Sequence, residues 1–208
     1  MRRVLIALAV TAFALFASAG AASAAPGQVF KLKVVGGFAD AGWFSTNIDN
    51  TVQVSTFVQV DQTQLFVDQF TTNFDADGNF TGGTDTFTDV TDGYSFSSDG
   101  MQMTTGSLSG SGIPATTCDV DANFNDTNCT DTTMDLTVDF TGQGKVVREI
   151  ANDNINLGLL HERDHLNETD RQGSTATGTL SGSTLGDSQV ADLGFAKQGT
   201  TVVCFGGC

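Results

Sequence analysis

Basic residues are scarce in this chain of 208 residues. Nine Lys and Arg stand against 24 Asp and Glu, and none lies between Lys33 and Lys145, a span that holds 16 acids. Phosphate binding needs Lys and Arg, so an isoelectric point near 4.1 excludes a nucleic-acid binder by charge. Proline is nearly absent after Pro26. Glu is limited to Glu149, Glu162 and Glu168. Lys, Glu and, beyond the N-terminal segment, Ala are the residues helices prefer, and all are scarce. After residue 25 no stretch approaches the ~18 apolar residues of a membrane helix. No Gly-x-Ser-x-Gly elbow and no Cys-x-x-Cys occurs, and the two histidines both fall within 161–165.

What is present points to export and to strands. Met1-Arg2-Arg3, an apolar run from Val4 to Phe16 and small residues to Ala25 form the layout of a secretory signal peptide. Cleavage is expected after Ala24, leaving 25–208 as a single β domain outside the cytoplasm, secreted or at the cell surface. Removing Arg2 and Arg3 moves the formal charge from −15 to −17.

Thr, Val and Phe are plentiful and suit strands. Met134, Leu136, Val138 and Phe140 alternate with polar residues, as do Val52 to Val60, Phe30 to Val34, and Ala176 to Leu180. Period 2 with one polar side describes a half-buried antiparallel sheet. The 16 Phe are available to fill its core. Trp43 lies in an apolar strand and is assigned to core packing. Asp75-Ala76-Asp77-Gly78-Asn79 reads as a hairpin loop, and Asp92-Gly93, Asp99-Gly100 and Thr141–Gly144 as further turns. There is no linker and no clear repeat. The expected fold is all-β: an antiparallel meander β-barrel of about nine to twelve strands, with a two-sheet β-sandwich as the alternative.

Cys118, Cys129, Cys204 and Cys208 are an even set, so disulfides are the default in an exported chain. The pairs Cys118–Cys129 and Cys204–Cys208 each close a local loop.

Two motifs could carry chemistry. His161-Glu162-Arg163-Asp164-His165 is a literal H-E-x-x-H. On a helix, His161 and His165 would bind one zinc while Glu162 activates water. The flanking Leu157 and Leu159 alternate into it as in a strand, which would hold the imidazoles ~13 Å apart. Asp119, Asp121 and Asn123, like Asp75, Asp77 and Asn79, place oxygen ligands at alternate positions, as a calcium loop does. Neither loop has the closing Glu of an EF-hand, and a solvated polar turn is the preferred reading.

From Ala39-Asp40-Ala41-Gly42-Trp43-Phe44 through Val138–Gly144 to Arg171-Gln172-Gly173-Ser174-Thr175-Ala176-Thr177-Gly178-Thr179-Leu180, the chain resembles a loose group of uncharacterised exported bacterial β-rich proteins. The resemblance implies a secreted β fold and no activity. The expected function is therefore an exported, non-catalytic β protein with a binding or structural role, without cofactor and with its partner open. A zinc-dependent hydrolase and a calcium-stabilised adhesion or carbohydrate-binding module are the alternatives.

Overall fold

The computed structural model describes residues 28–156 and 160–204. The expected signal segment and the expected Cys204–Cys208 pairing lie outside the described residues. The rest is almost entirely strand: β1 Gln28–Thr46, β2 Val52–Asp61, β3 Leu65–Phe74, β4 Phe80–Val90, β5 Tyr94–Ser98, β6 Thr105–Val120, β7 Asp126–Thr141, β8 Lys145–Asn156, β9 Leu160–Gln172, β10 Thr175–Leu180, β11 Ser183–Leu185 and β12 Val190–Cys204. They form one 12-stranded antiparallel sheet in the order β11-β10-β7-β6-β4-β3-β2-β1-β12-β9-β8, with β5 beside β6. The expected all-β antiparallel architecture is present. The order has two ends, β11 and β8, so the described strands do not close into a barrel by strand pairing. Among the described residues no helix is long and apolar enough to cross a membrane.

The chain divides into two compact units. The larger comprises Val35–Glu149 and Glu168–Ala196; the described part of the smaller comprises 28–34, 150–156, 160–167 and 197–204.

In the larger unit one side of the sheet is the core. Ala39, Ala41 and Trp43 of β1, Val58 and Val60 of β2, and Leu65 and Val67 of β3 share a single cluster with Leu108, Met134, Leu136, Val138, Phe140, Ala176 and Leu193. Every second residue faces in, as the alternation requires. The link after β11 spans from β10 to β1: Ser188 N donates to Ala176 O at 2.9 Å and Gln189 N to Gly42 O at 2.9 Å. Trp43 is buried as expected, and its Nε1 donates to Gly186 O at 2.9 Å.

Two turns behave differently from the hairpins their sequence suggests. Asp92-Gly93 interrupts one line of strand, because β4 and β5 both pair with β6 and not with each other. Thr141–Gly144 links β7 to β8, which are not neighbours in the order. Pro114 sits in β6 between the stretch paired with β4 and the stretch paired with β5, where a missing N–H costs little. Just before it, Ser111-Gly112 forms a bulge held by Asp135, whose Oδ1 accepts from Ser111 Oγ at 2.6 Å and Gly112 N at 2.8 Å. The bulge flips the buried phase of β6 from Leu108 to Ile113 and Ala115.

Candidate binding face

Among the described residues Phe does little of the core filling expected of it. Among the described residues Phe140 is the only Phe in the buried set. Ala39, Ala41, Val58, Val60, Leu65 and Val67 take inward positions of β1–β3, and Phe lies on the outward phase of β1–β4. Phe57, Phe66, Phe70 and Phe87 are half-buried there, and Phe44 is 50% exposed.

Register arranges them in two rows across the outer surface. In one row Gly42 lies opposite Phe57, Phe57 opposite Asp68, and Asp68 opposite Phe87. In the next, Phe44 lies opposite Ser55, Ser55 opposite Phe70, and Phe70 opposite Asp85. Directly opposed residues hold their Cβ atoms ~5 Å apart, so the rings and small residues alternate like a checkerboard. Phe57 and Phe66 have ring centroids 6.3 Å apart at 55°.

Where Gly42 and Ser55 meet, the surface sinks into a groove of about 330 Å³ bounded by Phe44, Phe57, Phe70, Asp68 and Val190. Gly42 keeps its floor low: a Cβ there would lie 3.0 Å from Val190 Cγ2, which would have to give way. Gln189 fixes one wall, its Oε1 accepting from Phe44 N at 2.6 Å and its Nε2 donating to Phe44 O at 3.2 Å.

Two carboxylates meet on this face. Burial raises the Asp68 carboxyl above the ordinary range, opposed by a hydrogen bond with Asp85. Burial, then the charges of Asp68 and Asp126, push Asp85 up to about 6. Asp85 Oδ1 is shut off from water and meets no N–H or O–H donor. A proton held by Asp85 and donated to Asp68 resolves both facts, since two adjacent carboxylates resist double ionisation. A hydrogen-bonded pair is too close for the ~5 Å or wider spacing of glycosidase carboxylates.

The residues singled out by sequence lie elsewhere. His161, Glu162 and His165 belong to β9, a strand, so the helix that H-E-x-x-H chemistry requires is not formed. His165 Nδ1 is hydrogen-bonded to Asn152 Oδ1 at 2.6 Å, and Arg163 Nε donates to Asn154 Oδ1 at 3.1 Å. Burial and then Asp164 raise the Glu162 carboxyl.

Asp121 accepts from Asn123 N at 2.8 Å, Asn125 N at 2.9 Å and Asn125 Nδ2 at 3.2 Å. Asp75 accepts in the same pattern from Asp77 N at 2.9 Å and Asn79 N at 2.8 Å. Asp119 Oδ2 accepts from Asn128 Nδ2 at 3.1 Å, so Asp119, Asp121 and Asn123 are each engaged within their own hairpin. Among the described residues no three His, Cys, Asp or Glu side chains are placed to hold one metal ion. Cys118 and Cys129 are joined, with Cα atoms 4.0 Å apart.

No family model, curated protein or solved structure matches the chain. The groove was not legible from sequence. Period 2 marks which residues share a side, but the neighbours across strands depend on register.

Proposed function

We propose that this is an exported, non-catalytic binding protein that takes a positively charged, partly apolar partner on the outer face of β1–β4. The carrying observation is the Phe-lined groove beside the Asp68–Asp85 pair. Half-exposed aromatic rings in a contiguous patch mark interaction surfaces more than solubility does. The acids set the sign of the partner, and no Lys or Arg from 34 to 144 opposes them. The N-terminal segment and the Cys118–Cys129 bond support export.

The test is calorimetric titration of the disulfide-bonded chain with a peptide of alternating Lys and Leu, and with its Glu counterpart. The Lys peptide is expected to bind in a salt-dependent way and to lose about tenfold in affinity in Phe57→Ala. Equal binding of both peptides, or of wild type and Phe57→Ala, overturns the reading.

A further inference from the structure

Resting on that binding face, we propose that the groove above Gly42 and Ser55 is a seat for a small quaternary ammonium compound.

Three features carry this. The first is shape. Phe44 and Phe70 flank Ser55 across the strands, and Phe57 follows Ser55 on the same side of β2. Ser55 and Gly42 thus form a low floor within a ring of phenyl groups and Val190. At about 330 Å³ the groove lies at the small end of ligand sites and suits a solute better than a polymer.

The second is charge complementarity. Asp68 borders the groove, and the proton-sharing Asp68–Asp85 pair keeps a negative charge beside it. Aromatic faces attract cations through their ring quadrupoles.

The third is the poverty of acceptors. A primary ammonium has three N–H donors to satisfy once it leaves water. Gln189 is committed to the Phe44 backbone, and Ser55 Oγ donates to Phe70 O at 3.5 Å. That leaves Asp68 as the main acceptor at the rim. A methylated ammonium has no N–H to satisfy, so it needs only the charge and the rings. A small metal cation fits worse still, because the phenyl groups offer no oxygen to replace its water.

Choline is the probe, and 3,3-dimethylbutan-1-ol, its uncharged isostere, is the control. Binding is read by calorimetry. Choline is expected to bind saturably and about tenfold or more tighter than the isostere. Ser55→Leu fills the floor while every aromatic and acidic residue of the groove stays in place. It is expected to abolish choline binding while the melting midpoint stays near wild type. Asp68→Asn is expected to weaken choline and leave the isostere unchanged.

Equal affinity for choline and isostere, or choline binding that survives Ser55→Leu, overturns the proposal. If choline fails while the Lys–Leu peptide still binds and is released by Phe57→Ala, the ammonium seat is wrong and the binding face stands. If both fail, the face itself falls.

Discussion

Phe80 and Phe124 stack face to face, with ring centroids 4.0 Å apart and planes inclined by 10°. They belong to two hairpin loops of the same construction. In each, an Asp carboxylate accepts from the backbone N–H two and four residues on: Asp75 from Asp77 and Asn79, Asp121 from Asn123 and Asn125. In each, a Thr hydroxyl donates across the hairpin at 3.2 Å, Thr81 to Asn73 O and Thr127 to Asp119 O. The fourth loop position has positive φ in both: Gly78 at 81° and Phe124 at 62°.

Phe124 therefore carries a conformation that suits glycine, and stacking on Phe80 offsets it. Phe124→Ala loses the stack and keeps the backbone strain; Phe124→Gly loses the stack and relieves the strain. The Ala variant is expected to be less stable than the Gly variant by about 1 kcal/mol. Urea unfolding of the two variants measures the difference, and an Ala variant as stable as the Gly variant would refute it.

The two loop carboxylates should make the protein acid-sensitive. Hydrogen bonds from Asn79 hold the Asp75 carboxyl below its ordinary range, and those from Asn125 do the same for Asp121. A depressed pKa contributes stability above the unfolded value, near 3.8, and loses it as pH falls through the folded value. Asp75→Ala and Asp121→Ala are expected to lower the unfolding midpoint at pH 7 and to match wild type more closely near pH ~2. A gap that persists undiminished in acid would show that the charge is not what matters.

Asp85 acts in the opposite direction. Its folded pKa, raised to about 6 from 3.8, means the native state holds a proton that the unfolded chain has released. That contribution is full below the unfolded value and lost as pH rises through about 6. Asp85→Asn should therefore be more stable than wild type at pH ~7.5, by about 1 kcal/mol once solvent screening of the partly exposed pair is allowed for. The advantage should shrink towards pH ~4. Melting curves across that range test it, and an Asn variant weaker than wild type at neutral pH would sink the shared-proton description.

The Cys118–Cys129 bond ties β6 to β7 beside the second loop. Replacing both cysteines by Ser is expected to cost on the order of 2–3 kcal/mol by loosening the constraint on the unfolded chain. Denaturant midpoints of the double variant give the value, and no change would mean that the strand ladder alone fixes this hairpin.

Much of the fold was readable before any coordinates. Met134, Leu136, Val138 and Phe140, Val58 and Val60, and Ala176 and Leu180 are buried on one phase of their strands, as the alternation required. Asp75–Asn79 is the hairpin its residues announce, and Leu157 and Leu159 alternating into His161 correctly signalled a strand at β9. The likeness between the two Asp-Ala loops was on view in the sequence, but only their hydrogen bonds show that it is a shared structure.

Residue order alone marked the antiparallel strands, the Asp75–Asn79 hairpin and the nearby Cys118–Cys129 pair, because these depend on period 2, on backbone preferences and on short closures. Tertiary structure decided which Phe lie outside, that β4 and β5 form one broken line, and that Gly42, Phe57 and Asp68 stand side by side. Those outcomes depend on competition for a limited interior, where Val, Leu and Ala took the inward positions of β1–β3. They depend as well on strand register, which joins residues far apart in the chain and leaves no local mark.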